Sequence, residues 1–354
     1  MTKTIAVNAS KTYEILIGPG LLEEAGHIIR EKAGGQAAAI VTDSNVAGLY
    51  GDRLAGALAL GGYRVARFVF PFGEQSKSAE TFISLLNFLA DEKLSRTDVV
   101  VALGGGVTGD LAGFAAACYM RGVHFVQVPT TLLAAVDSSV GGKTAINLTS
   151  GKNLAGAFYQ PDAVICDTST LSTLAEEAFR DGCAEVIKYG AIMDRALFQS
   201  IEAPMHEQLE DVIARCVEIK RDIVTEDEFE CGVRKLLNFG HTVGHAIEKL
   251  SGYRTSHGHA VAAGMAVVAR ASARMGLCGM AGCACDILRM IRRYGLPTGT
   301  AYEAGDLANA CLSDKKRAGN HITMVFPMEV GKCILKDIPV NDLEAVIRLG
   351  LEEL

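Results

Sequence analysis

Half of the eight histidines in this chain fall in one short stretch, at His241, His245, His257 and His259. Glu185 lies upstream, in a segment with a helical pattern. One carboxylate with two imidazoles is a common ligand set for catalytic zinc, and it leaves a position open for water or substrate. Any one of these histidines alone favours a structural role, but together with Glu185 they predict a metal site.

The histidine at 241 belongs to a longer polar pattern. His241 and His245 are four residues apart and share one helical face, so both can bind one ion, or His245 can face a substrate. Arg234 and Asn238 precede His241 by seven and three residues. If a helix continues through Gly240, all four polar residues lie along one stripe. Arginine in that stripe could bind a carboxylate through two parallel hydrogen bonds.

Basic residues accompany this pattern although the chain carries a net charge of −7. Lys188 follows Glu185 by three residues and shares its helical face, as a substrate-binding lysine or as one half of a surface ion pair. The other basic residues near these segments are Lys220, Arg234, Lys315 and Lys316. A basic cluster in an acidic chain predicts a substrate with two or three negative charges.

A glycine-rich turn in the first half predicts a nucleotide site. The stretch 104–110 follows a strand-like run and opens a helix, an arrangement in which backbone N–H groups can approach a phosphate. Its spacing differs from G-x-G-x-x-G, and a tight structural turn is the alternative. Asp43 at an earlier strand end could accept hydrogen bonds from ribose hydroxyls, and Glu74 and Lys77 add a charged loop. Helix capping is the alternative for both acidic residues.

A second glycine- and lysine-bearing region covers 137–144 and 151–153. Gly-Gly-Lys-Thr at 141–144 resembles the end of a P-loop, but Asp137 occupies the position of the required first glycine. We therefore reject an ATPase. A loop that brings Lys143, Lys152 and Asn153 to a substrate anion is the preferred interpretation, and a solvated basic loop is the alternative.

The pattern of elements predicts two domains, 1–175 and 176–354. Apolar strands alternate with helices in the first half, which predicts an α/β domain with a mostly parallel sheet. The predicted strands are 37–42, 65–70, 98–103 and 123–128, and the predicted helices are 78–92 and 111–119. The second half reads as all-helical, with helices at 174–189, 196–201, 207–227, 233–250 and 261–275.

Composition narrows the class of protein. The length of 354 residues and the 49% hydrophobic content are those of a globular protein, and the negative charge argues against a broad nucleic-acid surface. The apolar stretch 99–128 contains charged residues and glycines, so we interpret it as strand-helix-strand and not as a membrane span. The absence of a signal-peptide pattern predicts a cytoplasmic protein with reduced cysteines. Cys278, Cys283 and Cys285 fit small core residues better than a metal site.

Read together, these motifs resemble the 3-dehydroquinate synthases of the sugar phosphate cyclase superfamily, over nearly the whole chain. Each motif is short, but their occurrence in one order is specific. The motifs are 73–78, 104–110, 128–134, 137–147, 151–153, 184–190, 237–248 and 314–316. The resemblance implies an NAD-binding α/β domain with an atypical Rossmann-like glycine motif, a helical domain that binds zinc or cobalt and substrate, and a homodimer.

The resemblance also implies a role for individual residues. Metal ligands would be Glu185, His241 and His257. NAD contacts would be Asp43, Glu74, Lys77, Gly104, Gly105, Gly106, Val107, Asp110, Thr130, Thr131, Leu133, Asp137, Lys143, Lys152 and Thr173. Substrate contacts would be Asp137, Lys143, Lys152, Asn153, Lys188, Lys220, Arg234, Asn238, His245 and Lys315 or Lys316. Arg121 would reach the substrate phosphate of the partner subunit.

The implied reaction converts 3-deoxy-arabino-heptulosonate 7-phosphate to 3-dehydroquinate and phosphate. One departure from the family is that His259 stands where the usual pattern after the third ligand is His-Gly-Glu, so the surroundings of the metal are expected to differ. The competing hypotheses are another sugar phosphate cyclase, a metal-dependent polyol dehydrogenase of the same architecture, and a nucleotide-binding regulatory module. The first two share the cofactors, so only the products separate them.

Overall fold

The computed structural model describes residues 2–278, 282–312, 317–318 and 320–353. These residues form two compact units. The first runs as far as Ala175 and also includes Lys220–Glu228, and the second comprises Glu176–Ile219 and Phe229–Leu354. The chain therefore crosses from one unit to the other three times, whereas the sequence predicted a single boundary near residue 175.

A seven-stranded sheet forms the centre of the first unit, in the order β1-β2-β9-β6-β5-β3-β4. Its strands are β1 (Lys3–Asn8), β2 (Thr12–Gly18), β3 (Ala37–Asp43), β4 (Arg64–Phe70), β5 (Val99–Gly104), β6 (His124–Pro129) and β9 (Ala163–Asp167). Only the β1–β2 pair is antiparallel. A separate antiparallel hairpin joins β7 (Lys143–Leu148) to β8 (Gly151–Phe158). The predicted α/β fold with a mostly parallel sheet is confirmed.

Helices cover both faces of this sheet because alternate strand residues point to opposite sides. In β3, Ala38 and Ile40 join one apolar core while Ala39 and Val41 join the other. The first core receives residues from α1 (Leu21–Ala33) and α3 (Asp52–Leu60), and the second from α4 (Ala79–Asp91) and α5 (Gly106–Cys118). A short helix, α2 (Ser44–Val46), follows β3 directly. Burial on both faces explains why the strands are continuous apolar runs.

A buried carboxylate fixes the turn before β3. Oδ1 of Asp98 accepts hydrogen bonds from the backbone N–H groups of Gln36, at 2.9 Å, and Ala37, at 2.8 Å. Oδ2 accepts from the backbone and the hydroxyl of Ser95, both at 2.7 Å. Burial alone would raise the pKa of Asp98, but these hydrogen bonds lower it below its ordinary value near 3.8. The carboxylate form therefore stabilises the folded chain.

We expect Asp98→Asn to destabilise the protein by about 3 kcal/mol at pH 7, because the amide nitrogen would face two N–H or O–H donors. Urea unfolding measures this difference. The contribution of Asp98 is complete above the pKa of the unfolded chain, near 3.8, and is lost as the pH falls through the lower folded value. The difference in unfolding free energy between the parent and Asp98→Asn proteins should thus be constant from pH 8 to about pH 5. It should shrink below about pH 4.

Asp91→Asn is the matched control, since Asp91 is an exposed aspartate in the same unit. Its effect should stay within about 0.5 kcal/mol at every pH. An Asp98→Asn protein as stable as the parent at pH 7 would show that these four hydrogen bonds contribute nothing net.

The second unit is mainly helical. Its helices are α6 (Glu176–Met193), α7 (Arg195–Ser200), the first part of α8 (Leu209–Glu226), α9 (His241–Leu250), α10 (His257–Arg274), α11 (Gly282–Arg293), α12 (Ala304–Leu312) and α13 (Leu343–Leu351). The central helix is α10, which packs against α6, α9, α11 and α13. Its residues from Ala260 to Ser272 are all buried. Such a helix, apolar on every side, belongs in the middle of a bundle.

The prediction that the second half is all-helical was wrong in one region. Strand β11 (His321–Glu329) pairs antiparallel with β12 (Lys332–Pro339), and the short β10 (Arg317–Ala318) adds to the other side of β11. Most residues of β12 are partly or fully exposed, so the segment lacks the clear apolar alternation that marks a half-buried strand. Within the described residues, no helix has both the length and the apolar character needed to cross a membrane.

Candidate active site

Three helices of the second unit bring Glu185, His241 and His257 together. Glu185 lies in α6 and is fully buried, while His241 and His257 are the first residues of α9 and α10. Nε2 of His241 is 3.5 Å from Oε1 of Glu185, and Nε2 of His257 is 3.6 Å from the same oxygen. One ligand atom from each residue lies within 4.8 Å of the other two. These three side chains can therefore reach one ion.

Gly240 places His241 at this point. Its φ of 79° is left-handed, and it forms the turn between a 3₁₀ segment, Val233–Asn238, and α9. A Cβ at Gly240 would lie 2.7 Å from the carbonyl oxygen of Val261, which belongs to α10. Only glycine satisfies both the backbone angle and this close approach. The two histidine-bearing helices can therefore pack with their backbones in contact.

The expected helical stripe of Arg234, Asn238, His241 and His245 was wrong, because the helix does not continue through Gly240. Arg234 and Asn238 lie in the 3₁₀ segment, and Arg234 is only 1% exposed. His245 lies one turn beyond His241 in α9, with ring centroids 5.5 Å apart. The turn replaces the stripe by two separate segments, one with arginine and asparagine and one with two histidines.

The burial of Glu185 fits a metal ligand. A buried carboxylate is costly unless a cation pairs with it. Lys188, one turn along α6 and also buried, forms a close ion pair with Oε2. Oε1 has no hydrogen-bond partner in the part of the chain that the structure describes, and it faces the two imidazole nitrogens. The alternative of a surface ion pair between Glu185 and Lys188 is excluded, because both side chains are inside the unit.

Both histidines have a partner for the ring nitrogen that faces away from Glu185. Nδ1 of His241 lies 3.2 Å from the carbonyl oxygen of Phe239, to which it can donate. Nδ1 of His257 lies 3.3 Å from Oε2 of Glu248, a buried residue of α9. A proton held on Nδ1 leaves the lone pair of Nε2 for a metal, which is the usual arrangement around bound zinc. The donor set therefore fits zinc or cobalt.

Charge around His257 supports the same conclusion. Burial alone would lower the pKa of His257, but the neighbouring carboxylates of Glu185 and Glu248 raise it to about 10. Two carboxylates on either side of one imidazole thus favour a cation between them, either a proton or a metal ion. Since a proton on Nε2 competes with a metal for the same lone pair, metal binding here should release it.

Sequence reasoning missed Glu248. It lies seven residues after His241 and three after His245, so it shares their face of α9. That spacing was a usable signal, but a glutamate in an amphipathic helix usually faces solvent. Another missed residue, Asp181 in α6, accepts a hydrogen bond from the backbone N–H of His259, and its Oδ1 lies 2.8 Å from Nδ1 of that histidine. The pKa of His259 is raised mainly by the hydrogen bond between its imidazole and the carboxylate of Asp181.

The predicted nucleotide residues collect at one edge of the first unit. The strands β4, β3, β5, β6 and β9 are parallel neighbours, so their carboxyl ends lie at the same edge, where α/β proteins bind ligands. The candidates that end or follow these strands are Asp43, Glu74, Lys77, Gly104, Gly105, Gly106, Val107, Asp110, Thr130, Thr131, Leu133 and Thr173. Asp43 also caps α2, by accepting from the N–H groups of Asn45 and Val46.

The glycine turn at this edge has little room for side chains. A Cβ at Gly105 would lie 3.1 Å from Cγ2 of Thr131, and one at Gly106 would lie 3.1 Å from Oγ of Ser138. Gly105 is the N-cap of α5, a helix of 13 residues. Glycines that bare the backbone at a helix N-terminus fit a phosphate group. The residues of this edge therefore fit a dinucleotide.

Charged and amide side chains of the first unit link the predicted nucleotide and substrate residues. Nζ of Lys77 forms a close ion pair with Asp110 and lies 2.6 Å from Oδ1 of Asn153. Asn147, which sequence reasoning left without a role, donates to Oε1 of Glu74 at 2.7 Å and accepts from the N–H of Asn153 at 2.9 Å. Asn153 itself has a left-handed φ of 53°, which is uncommon for a residue other than glycine. The network fixes this backbone.

The remaining candidates lie in different places. Nζ of Lys220 donates to the backbone carbonyl oxygen of Asp137 at 2.6 Å and also pairs closely with the Asp137 carboxylate. Lys143 begins β7 and Lys152 lies in β8, so the lysine of the P-loop-like sequence opens a strand and not the helix that a P-loop requires. Arg121 is exposed after α5, at the amino-terminal edge of the sheet, away from the nucleotide candidates. Lys315 and Lys316 lie outside the described residues.

Two family models match consecutive parts of the chain. Residues 67–181 match the 3-dehydroquinate synthase N-terminal model, and residues 182–317 match the C-terminal model. A 3-dehydroquinate synthase from Pelobacter propionicus is 44% identical over 341 residues, which cover 94% of this chain and 95% of that protein. The agreement therefore extends over both units.

Solved structures show the same architecture. A 2-deoxy-scyllo-inosose synthase complexed with carbaglucose-6-phosphate, NAD+ and Co2+ has a TM-score of 0.89 and 28% identity, over 99% of this chain and 100% of that one. A 2-epi-5-epi-valiolone synthase from Streptomyces hygroscopicus, with NAD+ and Zn2+ bound, has a TM-score of 0.87 and 26% identity, over 97% of this chain and 98% of that one. Both proteins are less similar in sequence than the relative from P. propionicus.

Proposed function

This chain belongs to the 3-dehydroquinate synthase family, and from that premise we propose that it is an NAD- and metal-dependent carbon–oxygen lyase. Its substrate is 3-deoxy-arabino-heptulosonate 7-phosphate, and its products are 3-dehydroquinate and phosphate, in the shikimate route to chorismate and the aromatic amino acids. The observation that carries the metal part is the convergence of Glu185, His241 and His257 on one point. The roles of NAD, of the metal and of the individual residues all belong to this proposal.

The two units divide the work. The first unit, which includes residues 220–228, binds NAD through the edge formed by the carboxyl ends of its strands, and the second unit holds the metal and also binds substrate. When bound, NAD supplies reversible hydride acceptance, and zinc or cobalt supplies Lewis-acid polarisation of a substrate hydroxyl. Glu185, His241 and His257 hold the metal, and Glu248 keeps the imidazole of His257 in the required tautomer.

The basic residues bind the two anionic ends of the substrate. Arg234 pairs with the carboxylate, since a guanidinium offers two parallel donors to that group. His245 orients the phosphate. Oxidation of a ring hydroxyl to a ketone makes the adjacent C–H acidic, and a phosphate oxygen held close to it removes the proton while the C–O bond to phosphate breaks.

Bound NAD would also supply the return of hydride that converts the ketone back to the hydroxyl. The pyranose ring then opens, and the new enolate carbon attacks the ketone of the open chain to close the carbocycle. Oxidation and reduction cancel over one turnover, so the net reaction is elimination of phosphate with C–C bond formation. The residues contribute mainly position and charge, since the substrate supplies its own base.

One assay tests the function. The protein is supplied with the heptulosonate phosphate, zinc and a catalytic amount of NAD, and released phosphate and NADH are followed together. We expect phosphate in stoichiometric amount, 3-dehydroquinate as the product, and no net NADH. A polyol dehydrogenase would accumulate NADH without phosphate, and a regulatory nucleotide-binding module would give neither.

The second candidate is another sugar phosphate cyclase, because the structure resembles the 2-deoxy-scyllo-inosose synthase closely. Such an enzyme would release phosphate from a sugar phosphate that lacks a carboxylate and leave the heptulosonate phosphate untouched. The higher identity to 3-dehydroquinate synthases and the buried Arg234 support the first candidate. A parallel assay with glucose 6-phosphate separates the two.

We also propose that the protein works as a homodimer in the cytoplasm. None of its ten cysteines forms a disulfide bond in the structure, which is consistent with a reducing compartment. Arg121 lies apart from the other candidates of its own unit, and both it and Met120 have left-handed backbone angles, with φ of 67° and 49°. Strained backbone of this kind often marks a functional position, here a phosphate contact across the dimer. Analytical ultracentrifugation tests the oligomeric state.

A further inference from the structure

Asp181 holds the beginning of α10 through one carboxylate oxygen. Its Oδ1 accepts from the hydroxyl of Ser256 at 2.6 Å and from the backbone N–H of His259 at 3.0 Å, and it lies 2.8 Å from Nδ1 of His259. Oγ of Ser256 and Nδ1 of His259 are also 2.8 Å apart. The carboxylate thus binds groups on both sides of His257, which lies between these two residues in the sequence.

The backbones of α6 and α10 touch at the same place. A Cβ at Gly258 would lie 2.3 Å from both Cα and the carbonyl oxygen of Asp181. No larger residue fits at 258 unless the two helices separate. Asp181 therefore fixes the first turn of α10 by hydrogen bonds, while Gly258 lets that turn lie directly against α6.

The held residues are neighbours of two metal-ligand candidates. Asp181 precedes Glu185 by four residues, about one turn of α6, so it lies on the same helical face. His257 has Ser256 on one side and Gly258 on the other, and both of these residues are fixed on Asp181. The distance of 3.6 Å between Nε2 of His257 and Oε1 of Glu185 thus depends on how α10 begins against α6.

We propose that Asp181 is a positioning residue for the metal centre. It sets the spacing between the ligand from α6 and the ligand from α10, without binding the metal itself. This proposal rests on the metal site of the proposed function. It also assigns a role to His259, whose side chain completes the polar cluster around Asp181.

The test is the affinity of the metal-free protein for Zn²⁺, measured by competition with a chromophoric chelator. We expect Asp181→Ala to weaken this affinity by about 10-fold to 100-fold, the usual effect of removing a group that orients a ligand. Asp181→Asn keeps one oxygen acceptor and should recover most of the loss. Ser256→Ala removes one of the donors and should lose less affinity than Asp181→Ala.

Asp194→Ala is the matched control. Asp194 is the N-cap residue of α7, where it accepts from the N–H of Leu197 at 2.9 Å and pairs with Arg215. It follows Glu185 by nine residues and lies just beyond the end of α6, more than two helical turns from Glu185. The Asp194→Ala substitution should lower the melting temperature of the metal-free protein without changing its affinity for Zn²⁺. The visible spectrum of bound Co²⁺ should change in Asp181→Ala and not in Asp194→Ala.

The outcomes separate this proposal from the function. If the unmodified protein binds Zn²⁺ and Asp181→Ala binds it equally tightly, the positioning role is wrong and the metal site stands. An equal loss in Asp181→Ala and Asp194→Ala would trace the effect to general destabilisation and also overturn the role. If the unmodified protein binds no Zn²⁺, the proposed metal site is wrong, and so is the role of Asp181. Should Asp181→Ala fail to fold, the order of affinities among the unmodified protein, Ser256→Ala and Asp181→Asn decides.

Discussion

His241→Ala should abolish turnover and remove the metal in the same step. In the proposed metal site the side chain is one of three ligands, and its Nε2 is 3.5 Å from Oε1 of Glu185, the proposed ligand from α6. If three ligands divide the roughly 12 kcal/mol typical of a protein zinc site, one ligand accounts for about 4 kcal/mol, or about a thousandfold in affinity. Without the metal, the substrate hydroxyl loses its polarisation and oxidation by NAD stops.

Metal analysis of the purified protein and phosphate release from the heptulosonate phosphate measure the two effects. His206→Ala is the control, because His206 is an exposed histidine of the same unit with a side chain 74% accessible. It should keep both the metal and the activity. Stoichiometric tightly bound metal in His241→Ala would mean that the ligands have been misassigned, whatever its activity.

The same variant should still bind NAD, because the nucleotide candidates lie at the sheet edge of the first unit and His241 lies in the second. Titration of protein fluorescence or calorimetry with NAD provides this measurement. Loss of NAD binding together with metal would indicate a misfolded protein, so this result is needed before the loss of activity is interpreted.

Much of the first unit could be predicted because its sequence pattern is local. Strand β3 was expected at 37–42 and is found at Ala37–Asp43, and β5 was expected at 98–103 and is found at Val99–Gly104. Continuous apolar runs of this length, separated by helical periods, suit few arrangements other than a parallel sheet. The carboxyl ends of such strands share an edge, so Asp43 and the glycine turn at 104–110 could be placed there from the sequence. The candidates Thr130, Thr131, Leu133 and Thr173 came from the family resemblance.

The second unit was harder to predict because its decisive features are contacts between segments far apart in sequence. Gly240 ends a 3₁₀ segment and starts α9, and the reason lies in the backbone of α10, which its missing side chain allows to come close. Glu248 is buried because α10 covers it, although its sequence environment is that of a surface residue. Neither fact is present in the periodicity of a single helix.

The histidine at 259 shows how a departure from a family pattern can be explained by structure. The usual family pattern has a glutamate at this position, so its replacement by histidine led us to expect different surroundings for the metal. Glu248 in α9 supplies a carboxylate to His257, while His259 turns to Asp181. The imidazole of His257 thus has a carboxylate partner, which lies at the end of the motif 237–248 and not in the residues after His257.

Arg234→Ala should raise KM and lower kcat for the heptulosonate phosphate and leave NAD affinity nearly unchanged. Arg234 is 1% exposed and lies in the 3₁₀ segment just before the histidine-bearing helix. Removing the arginine from a buried pair with the substrate carboxylate costs about 3 kcal/mol, or a hundredfold or more in kcat/KM. Steady-state kinetics with phosphate detection measures the loss.

Two further variants separate recognition from folding. Arg234→Lys keeps the charge but not the two parallel donors, so it should recover only part of kcat/KM. Arg289→Ala removes an arginine that is 52% exposed and paired with Glu202 in the same unit, and it should leave kcat/KM unchanged. Because truncation of a buried arginine can also destabilise the unit, the melting temperature and Zn²⁺ content of Arg234→Ala must be compared with those of the unmodified protein.

The specificity of the loss decides the assignment. A competitive inhibitor that carries the substrate carboxylate should bind Arg234→Ala more weakly than the unmodified protein, by about the factor by which kcat/KM falls. Inorganic phosphate should inhibit both proteins equally. If kcat/KM is unchanged in a folded, metal-loaded Arg234→Ala, the carboxylate is bound elsewhere. In that case the buried guanidinium would no longer favour a carboxylate-bearing substrate over the sugar phosphates of other cyclases.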